Sequence, residues 1–286
     1  MPLGADVLDV LLDPWRSGIN ARALAETLLI ALAAGPLGCW VVLFRLSYGA
    51  ESLAHAMFPG LVVAALAGLP LTLGAALGVA VAAPAVAVAA RLPTIGAETA
   101  LAVVVSSLLG LGALLALAPE SPAGVQELLF GDVLGVSPGE LFVTGALAVV
   151  VLAVLGLAHR RFLLVGFDRS NAPAFGASPR TTDALLLMLV GGFAVVAVQS
   201  LGTLLVLAML VAPAATAALV THRLREMMVL AVGIAAAGGA GGLYLSYYAD
   251  TAAGASIAAV LVAIHLGTAA ALRLEAWPVT RLEPSR

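Results

Sequence analysis

Between two long apolar runs the chain reads Arg45-Leu46-Ser47-Tyr48-Gly49-Ala50-Glu51-Ser52-Leu53-Ala54-His55-Ala56-Met57-Phe58-Pro59-Gly60. Glu51 and His55 are four residues apart, so on a helix they stack one turn apart on a single face. Pro59-Gly60 follows, a pair that weakens a helix where it stands. A carboxylate and an imidazole in an apolar surround are costly to bury, and such groups face a cavity, a partner or a pathway. Carboxylate oxygen and imidazole nitrogen together also suit a divalent transition metal. The plainer alternative is a buried ion pair that sets packing.

The flanking runs decide the class. The chain has 286 residues, 62% hydrophobic and 10% charged, where a soluble domain carries about 25% charged residues. The apolar residues come in runs of about 20, the length that spans a bilayer. The expected fold is therefore all-α, a polytopic helical membrane protein built as one domain of packed helices. A formal net charge of −3 gives no sign of a nucleic-acid partner. The single cysteine, Cys39, excludes an internal disulfide and a cysteine-based metal site. All 13 basic residues are arginine. With no lysine there is no Gly-x-x-x-x-Gly-Lys-[Ser/Thr] nucleotide loop and no Schiff-base chemistry. Neither His-Glu-x-x-His nor Gly-x-Ser-x-Gly occurs, so no enzyme motif of those kinds is present. ATP-driven work would need a separate ATPase chain.

Nine spans are predicted, at 22–44, 51–68, 70–91, 98–118, 138–158, 180–199, 202–221, 227–247 and 253–272. Eight is the alternative count, because the second is short and only Gln199-Ser200-Leu201-Gly202 separates the sixth from the seventh. The domain reading is an extracytoplasmic or interfacial segment at 1–21, a transmembrane unit at 22–273, and a cytoplasmic tail at 274–286. The start lacks a positive n-region, so it is not a secretory signal. Residues 5–15 read as a short interfacial helix with Trp15 at headgroup level. Orientation follows from arginine. With the N-terminus outside and the C-terminus cytoplasmic, eleven arginines fall inside and only Arg16 and Arg22 outside. The outer segments then carry Asp6, Asp9, Asp13, Glu120, Glu127, Asp132, Glu140 and Asp250.

Two loops stand out. The outer one, 119–137, contains Leu128 to Leu134, too apolar for a free loop and expected to lie on the membrane or plug the outer mouth. The inner one, 159–182, has crisp local signals. Ser170 or Asn171 can N-cap a short helix with Pro173 in its first turn, and Gly176 can end it. Ser178-Pro179 is then a second cap starting the sixth span. The short helix is expected to be amphipathic through Ala174 and Phe175. Within the spans, Gly74-x-x-x-Gly78 and the glycines at 238, 239, 241 and 242 are expected to serve close helix packing. Ser106 and Ser107 are expected to bond back to their own helix. His265 is expected to hydrogen-bond between helices. Glu98 is expected to complement a helix N-terminus.

Gly49-Ala50-Glu51-Ser52-Leu53-Ala54-His55-Ala56-Met57-Phe58-Pro59-Gly60 resembles the Gly-Asp-x-x-x-His-x-x-x-Pro-Gly segment of the metal-type ABC importer permeases, the membrane subunits that pass zinc, manganese or iron inward. Here Glu51 stands for the usual Asp, Ala54 for Ser, and Ala50 for Gly. Four further pieces resemble the same family in its usual order: Leu129-Phe130-Gly131-Asp132…Val136-Ser137; Ala172-x-x-x-Gly176; Gly202-x-Leu204-Leu205-Val206…Pro213; and Ser246-x-x-x-Asp250-x-x-x-Gly254. The resemblance implies a bacterial plasma-membrane permease working by alternating access. It implies a homodimer with its pathway on the two-fold axis, an ABC ATPase on the cytoplasmic face and an extracytoplasmic metal-binding protein above. Glu51 and His55 of each subunit would hold the transported zinc, manganese or ferrous iron. His55 must be neutral to do so. Asp132 and Asp250 would flank the entrance. Asp168, Ala172, Phe175 and Gly176 would engage the ATPase. No permanently bound cofactor is expected. The alternatives are a permease for an iron chelate or cobalamin-like ligand, with Glu51 and His55 structural, and an ion-driven secondary transporter working alone.

Overall fold

The computed structural model describes residues 7–89, 97–118 and 131–276, and the regular structure among them is helical. Its elements are α1 (Val7–Arg16), α2 (Gly18–Leu43), α3 (Ser47–Ala56), α4 (Phe58–Ala67), α5 (Leu71–Ala89), α6 (Ala97–Ala116), α7 (Pro138–Phe167), a single 3-10 turn (Ala172–Phe175), α8 (Pro179–Val220), α9 (Leu224–Ala249) and α10 (Ala253–Ala276). Six stretches are long and apolar enough to cross a membrane: α2, α3 with α4, α7, α8, α9 and α10. Shorter apolar stretches lie within α5 and α6. Asp6, Arg91, Glu120, Glu127, Arg281 and Arg286, and the 119–130 part of the outer loop, lie outside the described residues.

α8 is 42 residues long, roughly 60 Å if it were straight at 1.5 Å per residue, twice the hydrocarbon core of a bilayer. It is not straight. Gly202 has φ 70° and ψ 165°, a conformation open only to glycine. Before the break, Ala184 and Leu187 line a cavity with Arg45, just past the end of α2. At the break, Ser200 bonds to Glu26 near the start of α2. After it, Leu210 and Ala214 lie against Gly38, back toward the end of α2. The chain thus climbs α2 and descends it again, reversing at Gly202.

α2 is the post that α7, both halves of α8, and α9 surround. Its small residues set the approach. A β-carbon on Gly38 would lie 1.9 Å from the carbonyl oxygen of Leu210, and one on Gly35 would lie 2.7 Å from the backbone nitrogen of Val232. In a membrane no hydrophobic effect drives helices together, so close backbone packing of this kind supplies the attraction. A second such contact holds α4 to α5, where Gly60 and Gly74 face each other's carbonyl oxygens. On α9, Gly242 meets the backbone of Ile257 on α10. The packing role expected for Gly74 and for the α9 glycines 238, 239 and 242 therefore holds, with Gly239 against Thr27 and Gly238 against Leu261.

Three boundaries differ from the sequence expectation. The second span is two short helices, α3 and α4, separated at Met57. Pro59 has no N–H to continue α3, yet it sits well in the first turn of a new helix. The first span starts earlier, at Gly18, directly after α1. The fifth span does not end at 158. α7 continues through His159, Arg160 and Arg161 to Phe167, because nothing there breaks a helix. Fully buried Phe162 anchors the extension, stacking on Trp40 with centroids 5.1 Å apart.

Gly38→Ala should destabilise the fold by about 3 kcal/mol or more, the upper end for overpacking, because the obstacle is backbone. Gly233→Ala on α9, with nothing within 4 Å of its position, should be neutral or slightly stabilising. Thermal unfolding of the two variants in the same detergent checks the contrast.

Candidate functional site

Glu51 and His55 share one face of α3, with His55 Nε2 3.9 Å from Glu51 Oε1. The pair is graded in exposure: the Glu51 side chain is 53% accessible and that of His55 18%. His55 Nδ1 is buried without a hydrogen-bond partner. The imidazole is thus the more buried of the two, and the carboxylate, one turn earlier on α3, the more accessible. The helix break at Met57 begins two residues after His55. Two donors of this kind can bind a metal, but two are too few to enclose one. Among the described residues no group of three or more His, Cys, Asp or Glu side chains converges.

A cavity of about 700 Å³ lies beside this pair, between α3, α5, α6 and α8. Its lining is apolar apart from Arg45, Tyr48 and Ser52, and includes neither Glu51 nor His55. Ser52 turns its hydroxyl to the carbonyl of Tyr48 at 2.7 Å.

The two aspartates expected at the entrance are not gathered to the pair. Asp132 is exposed and accepts the Gly135 N–H at 2.9 Å on Oδ1. It follows Gly131, whose φ of 70° lets its backbone lie against Leu201 and Gly202 at the reversal of α8. Asp250 ends α9 in the left-handed region, with φ 52° and ψ 46°. Ser246, one turn back, donates to the Thr251 carbonyl at 2.6 Å.

The segment after α7 is built on Asp168. Asn171 stands at the N-cap of the short helix, as expected, but its side chain makes no capping bond. Asp168 does that work: Oδ1 accepts the backbone N–H groups of Ser170 and Asn171, both at 3.0 Å, and the Ser170 hydroxyl at 2.6 Å. Its Oδ2 accepts the Asn171 amide at 2.6 Å. These bonds, from Ser170 first and then Asn171, hold its carboxyl down at about 2. The helix is 3-10 rather than α, and Gly176 ends it at φ 79°. Its anchor is Ala172, 1% exposed, rather than Ala174. Phe175 faces out at 68%, as does Phe167 at 98%. With Leu163, Asp168 and Asn171 they line a groove on this face. Arg169 pairs with Asp183, tying the loop to the first turns of α8. The loop proper is therefore 168–178, and the expected range 159–182 includes helical turns at both ends.

One site was not read from the sequence at all. Glu26, on α2, is 1% exposed. Its Oε1 accepts the Thr144 hydroxyl of α7 at 2.7 Å and the Ser200 hydroxyl of α8 at 3.0 Å, while Oε2 is buried without a partner. Among lesser polar groups, His265 meets Thr216 at 2.9 Å, as a histidine bonded between helices should. Ser107 bonds back to Val103 at 2.7 Å.

Residues 18–271 match the ABC 3 transport family. The chain is 32% identical over 242 residues to a manganese transport system membrane protein, MntC, of Listeria monocytogenes, covering 85% of this chain and 86% of that one. It is also 32% identical over 251 residues to a probable iron transport system membrane protein of Haemophilus influenzae, covering 88% and 93%. Among solved structures it superposes on PsaBC from Streptococcus pneumoniae in complex with Fab, with TM-score 0.83 and 28% identity, covering 92% of this chain and 95% of that one.

The Asp168 cap carries a pH signature. Its folded carboxyl is depressed from the usual 3.8 to about 2. The order it confers is therefore complete above about pH 4 and lost as pH falls through about 2. Amide hydrogen exchange at Ser170 and Asn171 should show protection that follows this course in the wild type. In Asp168→Ala that protection should be lost at every pH.

Proposed function

The chain belongs to the ABC 3 transport family, and from that membership we propose that it is the membrane permease subunit of an importer that passes a divalent transition metal into the cytoplasm. Relatives named for manganese and iron transport support a cargo of that class. The observation that carries the reading is the Glu51–His55 pair, a partly accessible carboxylate one turn before a more buried imidazole, on a helix that breaks two residues later. Oxygen and imidazole nitrogen suit manganese, ferrous iron and zinc. A second copy of the chain would bring the pair to two carboxylates and two imidazoles about a two-fold axis. That set meets the ligand count which one chain lacks among its described residues. His55 Nδ1, without a partner here, is free to ligate or to be oriented by the second copy.

Nine crossings follow from counting α8 as two, with the N-terminus outside and the C-terminus cytoplasmic. The arginines favour this orientation. Asp132 and Asp250 then lie on the outer side, where an extracytoplasmic binding protein would deliver the ion. The groove at Phe167, Asp168 and Phe175 then lies on the inner side, with Ala172 as its anchor and Gly176 as its stop. There it would receive an ABC ATPase. A chain without lysine has no nucleotide loop of its own, so hydrolysis belongs to that partner. ATP-driven movement of the 168–178 segment would pass to α8 through the Arg169–Asp183 pair and rock the spans between outward and inward openings.

Metal content of metal-starved cells carrying the complete transporter tests the reading, at matched membrane levels of wild type and His55→Ala. Manganese or iron should accumulate with wild type and fall at least tenfold with the variant. Equal accumulation by both would leave the importer standing and remove His55 from the path. No accumulation of any metal by wild type would sink the metal reading itself.

A further inference from the structure

Among the described residues Glu26 is the one acidic side chain in the buried core. It lies in an apolar span at 1% exposure, and both of its hydrogen bonds fall on one oxygen. The other oxygen is buried and bare. No ion pair reaches it among the described residues. An ionised carboxylate in such a place has two hydroxyl donors and no countercharge, which costs far more than a neutral acid with one unfilled bond.

The surrounding charges do not rescue the ion. On its own helix Arg22 is one turn away, but it is exposed and forms no pair with Glu26. From α7 the nearest titratable group is Glu140, one turn before Thr144. That group is itself an acid and is engaged in the capping box with Ser137. From α1, Asp13 accepts the Tyr247 hydroxyl of α9 at 3.2 Å and Arg16 has its own contact. Tyr244 and Tyr248 complete the α9 contribution at this end. The charged groups of α3 and of the start of α8 lie at the opposite end of α2, beside Arg45.

We propose that Glu26 is a proton-binding site, held neutral by burial without a countercharge, hydrogen-bonded to Thr144 and Ser200, and coupled to the reversal of α8 at Gly202. Ser200 stands two residues before the break, and Gly131 covers Leu201 and Gly202 from outside. Any motion that separates the two halves of α8 from α2 draws the Ser200 hydroxyl off the carboxyl and admits water. Glu26 then releases its proton, and the charged form resists closing again. The site clasps α2, α7 and α8 when protonated and lets them part when ionised. It stands on the buried cluster and not on the metal reading, so either can fail without the other.

Infrared spectra of the purified full-length chain in lipid nanodiscs near pH 7 test it. The wild type should show a carboxylic-acid carbonyl band that is lost in Glu26→Gln. Thr144→Val with Ser200→Ala removes both donors and keeps the acid, so the band should move to higher frequency, as a carbonyl freed of hydrogen bonds does. Superimposable wild-type and Glu26→Gln spectra overturn the proposal. Should Glu26→Gln not fold, an unmoved band in the double variant overturns it equally. A wild-type band that appears only after sodium and divalent ions are stripped away also overturns it, since a metal ion would then be the occupant. For the coupling, raising the pH until the band disappears should lower hydrogen-exchange protection of the Leu201–Thr203 amides in wild type and leave it unchanged in Glu26→Gln. Protection that ignores the band breaks the link to α8.

Discussion

The approach of Gly38 to the Leu210 carbonyl is the contact on which the bundle depends. It brings the descending half of α8 onto α2 at backbone distance, and the rest follows from that closeness. The ascending half must then lie on another face of α2, so the chain has to turn sharply between them. A turn that sharp needs a residue able to take φ 70° and ψ 165°, and Gly202 is that residue. The turn in turn sets Ser200 on Glu26 and gives Gly131 a backbone to lie against. Small residues at a few positions thus determine where the polar groups of the bundle meet.

Those polar groups divide by how they are satisfied. Thr216 with His265, Ser107 with Val103, and Ser52 with Tyr48 are closed pairs, and they serve packing. His55 Nδ1 and Glu26 Oε2 are instead buried without a hydrogen-bond partner, as are Trp40 Nε1, Asp183 Oδ1 and Thr203 Oγ1 among the described residues. Unspent capacity of that kind is destabilising, and most so in an ionisable group, which sets Glu26 and His55 apart from the closed pairs.

Much of this was legible in the sequence because it was local. Apolar runs of bilayer length marked the spans. Gly176 and Ser178-Pro179 marked the end of one helix and the start of the next. Gln199-Ser200-Leu201-Gly202 marked the turn inside α8. What was not legible depended on distant partners or on competition among similar neighbours. Glu26 stands near the arginine-bearing start of its span and looks like an interfacial acid. Its burial is visible only when Thr144 and Ser200, 118 and 174 residues away, arrive beside it. Asp168, Ser170 and Asn171 are all capping residues, and sequence alone does not say which one turns inward. The length of α7 was missed because His159-Arg160-Arg161 reads as a membrane edge. The helix runs on past it because Phe162 finds Trp40.

That extension of α7 has a bearing on how the protein is made. It carries Phe167 clear of the bundle, and the 3-10 turn holds Phe175 nearby, so two phenyl rings face outward around a groove. Contiguous bare aromatic surface of this sort adheres to whatever apolar surface it meets. A chain synthesised in excess of the ATPase proposed to cover the groove would carry an adhesive face, open to aggregation and to quality-control proteases. The cost of imbalance would fall on this subunit, which makes matched synthesis of the two chains an advantage written into the geometry of one short loop.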